Sequence, residues 1–75
     1  MVKPTSVTND IRALRFRAGE MTQAELAERI GVTRQTVIAI EQGRYSPSLE
    51  MAFRIARVFG VPLDAVFGYD EEAGA

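Results

Sequence analysis

Arg34, Gln35 and Thr36 follow one another directly after Thr33, and the three side chains match the exposed edges of nucleic-acid bases. Arginine donates twice to guanine O6 and N7, glutamine pairs with the adenine edge, and a threonine methyl meets the thymine methyl. Ala39, one helical turn on, faces the same way and offers only a methyl contact. Gln23, Thr33, Gln42, Arg44 and Tyr45 carry groups suited to phosphate instead. Gln23 stands where a helix would begin, so its amide and the unpartnered backbone N–H groups could meet one phosphate oxygen. The plainer alternative is an ordinary polar helix face for the first three, and solvent-facing positions for the rest.

Catalysis finds little support. The chain has no His and no Cys, which removes the commonest general base, the thiol nucleophile and the usual zinc ligands. Ser6, Ser46 and Ser48 fall in loops and at helix starts, and no glycine-rich phosphate loop occurs. Glu25/Glu28 and Glu71/Glu72 are the only carboxylate pairs worth weighing. Glu25 has a better use as a helix cap, and Glu28 as solvated surface. No cofactor or metal is expected, and the chain is not read as an enzyme.

The elements that must position these groups are written in the run TQAELAERIGVTRQTVIAIEQG, 22–43. Thr22 and Glu25 have the spacing of a capping box, and Leu26, Ala27 and Ile30 then share one helical face. Gly31 stops this helix where a left-handed residue is needed. Val32 supplies an apolar plug and Thr33 caps a second helix, with Val37 and Ile40 on its inner face and Gly43 at its end. Ala27 is small because two helices crossing steeply leave no room for more. The run predicts a helix-turn-helix with helices at about 23–30 and 34–42.

The stretch resembles the phage repressor and Cro-like family of helix-turn-helix regulators at Gln23, Ala27, Gly31, Val37, Ile40, Glu41 and Gly43. The resemblance continues through Pro47, Ala56, Gly60 and Val61, spanning roughly residues 9–69. The Gly19-Glu20-Met21 connection is one residue longer than the family's usual link. The resemblance implies a single all-α domain, a compact five-helix lambda-repressor-like fold, with the second motif helix entering the major groove of double-stranded DNA. It also implies that Glu41 pairs with an arginine of the first helix: Arg15 is the best placed, with Arg12 and Arg17 as alternatives.

Elsewhere the chain shows neither alternation nor a hairpin turn, so no strand is expected. A first helix at about 9–18, capped by Thr8, precedes the motif; a fourth at about 49–59, capped by Ser48, and a short fifth from Pro62 to about residue 67 follow it. Residues 1–7 and 70–75 are expected to fray. The start of the chain lacks the apolar core of a signal peptide, and the longest apolar run, 37–40, is too short for a membrane. A cytoplasmic protein is expected (nuclear in a eukaryote), with no small-molecule effector evident.

The formal charge of −1 opposes nucleic-acid binding. Its distribution answers much of that objection. Residues 1–57 hold all nine basic residues against six acidic ones, and 58–75 hold four acidic residues and no base. The fourth helix is apolar over two faces, Leu49-Ala52-Ala56-Phe59 and Met51-Ile55-Val58, with Phe53 alongside. That surplus predicts a homodimer surface using Met51, Ile55, Val58 and Phe67. The alternative is that both faces are core. The sequence therefore predicts a homodimeric DNA-binding regulator of transcription. A helix-turn-helix module that holds a protein partner, such as an antitoxin or accessory subunit, is the runner-up.

Overall fold

The computed structural model describes residues 5–71. Within them the order is β1 (Val7–Asn9), α1 (Ile11–Arg17), α2 (Gln23–Ile30), α3 (Arg34–Glu41), α4 (Leu49–Phe59), α5 (Leu63–Val66) and β2 (Phe67–Tyr69). Among the described residues five helices surround one core, and the two strands pair the first described element with the last.

The capping signals act as their chemistry dictates. Glu25 N–H donates to Thr22 Oγ1 at 3.0 Å while Thr22 N–H donates to Glu25 Oε1 at 3.0 Å, a reciprocal box that opens α2. These bonds to Thr22, backbone first and hydroxyl second, hold the Glu25 carboxyl below its ordinary range. Gly31 ends α2 at φ 77°, and the Val32 N–H returns to the Ala27 carbonyl at 2.9 Å. Ser48 caps α4 by accepting from Met51 N–H at 3.2 Å. Pro62 occupies the cap position of α5.

Three expectations need correction. Val7 and Thr8 do not fray or cap: β1 pairs antiparallel with β2, Val7 opposite Tyr69, Thr8 opposite Gly68 and Asn9 opposite Phe67. The domain thus carries a small two-stranded sheet, and all-α describes it only approximately. α1 starts two residues later than predicted because Asn9 is the last residue of β1. Its Oδ1 accepts from Ile11 N–H at 3.2 Å and its Nδ2 donates to the Ile40 carbonyl at 2.9 Å, so one side chain starts α1 and ties it to α3. The predicted fraying of residues 1–4 and 72–75 lies outside the described residues.

The third correction concerns α4. Ala52, Ile55 and Ala56 are buried, and Met51, Val58 and Phe59 are half-buried against the core. α4 packs on α2 and on α5 at once, so a wide apolar arc is consumed inside one chain. Ile55 is 0 % exposed and cannot lie on a dimer surface. The large apolar side chains that α4 leaves in solvent, beside the charged Glu50, Arg54 and Arg57, are Leu49 and Phe53, one turn apart.

Ile11, Leu26, Ile30, Val37 and Val66 join Ile55 as the largest fully buried side chains. Each is worth roughly 1.5–3 kcal/mol of transfer free energy. They come from α1, α2, α3, α4 and α5, so the core fixes how α2 and α3 are presented.

Candidate nucleic-acid interface

α3 is set by its inner residues. Val37 and Ile40 are only 1 % and 2 % exposed, which turns Arg34 and Gln35 outward, where both are exposed. Thr36, Ile38 and Ala39 are half-buried. The Thr33 side chain starts the helix by accepting from Thr36 N–H at 3.3 Å, and the two threonine hydroxyls share a hydrogen bond at 3.1 Å. The Thr36 hydroxyl is thereby engaged within the protein.

The α2 start lies beside this surface. Thr22 and Glu25 use two amides, and the first amides of α2 have no intrahelical acceptor. Gln23 is half-buried, and its Nε2 donates to Glu41 Oε1 at 3.3 Å. One amide proton is thereby used and the other is left over. At the opposite end of α3, Gln42, Arg44 and Tyr45 are exposed. Gly43, in the left-handed region at φ 71°, turns the chain there, and the Arg44 N–H closes back on the Ala39 carbonyl at 3.0 Å.

Of the three first-helix arginines, Arg15 pairs with Glu41. Arg15 Nε donates to Glu41 Oε2 at 2.7 Å, Nη2 to Oε1 at 3.0 Å, and Nη1 to the Met21 carbonyl at 2.8 Å. The Gly19-Glu20-Met21 link turns through two successive left-handed residues, Gly19 at φ 80° and Glu20 at φ 58°. The Met21 carbonyl at the end of this link accepts from Arg15, which holds the link against the Arg15–Glu41 pair.

Arg34, Gln42, Gln23, Arg15 and Glu41 all border one open groove of about 1260 Å³ between α1 and the motif. Gln35, Thr36, Ala39, Thr33, Arg44 and Tyr45 lie outside it, as do Met51, Val58 and Phe67, so of the predicted base readers it is Arg34 that borders the groove. Arg12 and Arg17 also border the groove. Their place there was not legible, because it depends on how the fold sets α1 opposite the starts of α2 and α3. No group of His, Cys, Asp or Glu that could hold a metal occurs among the described residues, and no described helix is long and apolar enough to cross a membrane.

Known proteins carry the same pattern. Residues 11–66 match the family described as helix-turn-helix. An uncharacterized HTH-type transcriptional regulator of Archaeoglobus fulgidus is 50 % identical over 62 residues, 81 % of this chain and 87 % of that protein. The cryptic phage CTXphi transcriptional repressor RstR of Vibrio cholerae is 39 % identical over 56 residues, 75 % of this chain and 50 % of that one. A solved structure, the hypothetical transcription factor NHTF from Neisseria, superimposes with a TM-score of 0.69 at 30 % identity, covering 75 % of this chain and 62 % of that chain. The matched family is one of DNA-binding regulators rather than of enzymes. A motif with both caps in place, on a core that exposes the start of its second helix, and a family match over most of the sequence lead to one conclusion: the chain belongs to the helix-turn-helix family of transcriptional regulators.

Proposed function

We propose that this regulator binds double-stranded DNA with sequence specificity, as a homodimer on a pseudo-palindromic operator, and represses transcription there. Arg34, Gln35, Thr36 and Ala39 read base edges, and Gln23, Thr33, Gln42, Arg44 and Tyr45 contact phosphates. The observation that carries this is the exposed Arg34-Gln35 start of α3 beside the start of α2, both held on a buried core. A repressor among the relatives supports repression as the outcome.

The homodimer reading has lost Ile55 and rests on the solvent-facing parts of Met51, Val58 and Phe67. Two copies of α3 would enter successive major grooves about 34 Å apart, which requires matched half-sites. Selection of bound duplexes from random DNA tests this. Enrichment of an inverted repeat with half-sites one helical turn apart is expected; a single unrepeated site would refute the dimer, and no enrichment would refute sequence reading.

A protein-holding module is the second reading, favoured by Leu49 and Phe53 at 67 % and 49 % exposure on one side of α4. Nuclease-treated pulldown separates the two: a stoichiometric protein partner retained without DNA, together with no salt-dependent DNA shift, would favour it.

A further inference from the structure

We infer that Arg12 and Arg17 are phosphate contacts, so that the DNA backbone runs along α1 as well as along the motif. The inference rests on the proposed DNA binding and extends its footprint to the far side of the groove. One side of that groove is formed by Gln23, Arg34 and Gln42, three residues assigned to DNA; the other is formed by α1, with Arg12, Phe16 and Arg17.

The charges are unevenly committed. Glu41 already receives Arg15 and Gln23. Arg12, Arg17 and Arg34 make no hydrogen bond or ion pair through their guanidinium groups to any described residue. Asp10 and Glu20 are the remaining acids on the lining, so three uncommitted cations face two carboxylates. The groove is therefore net basic on a chain whose formal charge is −1.

Helix stability does not account for both arginines. Arg17 lies in the last turn of α1, where a cation complements the helix dipole. Arg12 lies in the first turn, the end where a cation is unfavourable, and the N-cap Asp10 beside it makes neither a side-chain cap bond nor an ion pair with it. A cation kept at the unfavourable end and aimed into a groove shared with the reading helix is explained by an anion outside the protein. Phe16, one turn beyond Arg12 and 69 % exposed, gives the same wall an apolar surface against which deoxyribose carbons can lie.

The test is the salt dependence of DNA binding by the full chain, with the Arg12→Gln/Arg17→Gln double variant and the corresponding double lysine variant. The slope of log affinity against log salt should fall by about two for the glutamine pair, about one for each phosphate no longer neutralised, and be retained by the lysine pair. Sequence preference should not move. Phosphate-ethylation interference with the single variants Arg12→Gln and Arg17→Gln decides the question even if the double variant folds poorly, since each should become indifferent to ethylation at a phosphate that the wild type needs and that Arg44→Ala still needs. An unchanged slope in a folded glutamine variant, with no such phosphate, would overturn the inference while leaving the proposed function standing; it is also what a protein segment in the groove would give. Failure of the wild type to bind DNA at all would overturn both.

Discussion

Arg15 and Glu41 are joined by two parallel hydrogen bonds, Nε to Oε2 at 2.7 Å and Nη2 to Oε1 at 3.0 Å, with side-chain exposures of 14 % and 9 %. The third donor of the same guanidinium holds the Met21 carbonyl, so one side chain fastens α1, the link into α2 and the end of α3. Removing Glu41 leaves that cation largely desolvated and without its counter-charge. Glu41→Ala should cost about 3 kcal/mol, more than Gln35→Ala or Arg44→Ala, each of which removes an exposed side chain. Chemical denaturation of the three variants checks the order; a Glu41 variant as stable as the wild type would contradict it.

Glu25 predicts a pH effect of definite sign. Its carboxyl is held below its ordinary value by the bonds to Thr22, so the folded state favours the ionised form. The stabilisation is fully present above the unfolded-state value and is lost as pH falls through the folded one. The difference in melting temperature between wild type and Glu25→Ala, present at pH 7, should shrink steadily on acidification below the usual carboxylate range. A gap that stays constant from pH 7 to pH 2 would show that the charge plays no part.

Gly31→Ala isolates backbone conformation. A Cβ at this position would meet nothing nearer than Arg54 Nη1 at 4.0 Å, so no clash arises and the cost is that of a left-handed alanine, about 1–2 kcal/mol. Equilibrium unfolding measures it, and no loss would mean that the α2–α3 turn relaxes into another shape.

On α4, Ile55→Glu and Val58→Glu should part company. Ile55 is core, and a buried carboxylate there should unfold the chain; Val58 is half-buried, and its glutamate should leave the helices folded while sedimentation shows monomer in place of dimer. A folded Val58 variant that stays dimeric would move the interface to another surface.

The contrast between these two residues shows what the sequence could and could not reveal. The starts of α2, α3 and α4 and the Gly31 turn were legible because their signals are local: Thr22 with Glu25, Thr33, Ser48, and glycine where φ is positive. β1 and β2 were not, because three-residue strands are too short to show alternation and Val7 finds its partner in Tyr69, far along the chain. Ile55 could not be placed because helical spacing identifies an apolar face but not how many neighbours cover it. Likewise, residue type singled out Arg34 and Gln35 as candidate readers, while Arg12 and Arg17 join the groove only because the fold sets α1 opposite the starts of α2 and α3.

The role of α3 is decided by the affinity of wild type, Arg34→Ala and Arg44→Ala for the selected operator and for a scrambled duplex, each across a salt series. Arg34→Ala should lose about 1–3 kcal/mol on the operator, with relaxed preference at one base position and little change on the scrambled duplex. Arg44→Ala should weaken both duplexes alike and lower the salt slope by about one. If the two variants gave the same profile, or if the wild type did not distinguish operator from scrambled DNA, the assignment of α3 as the reading helix would be contradicted.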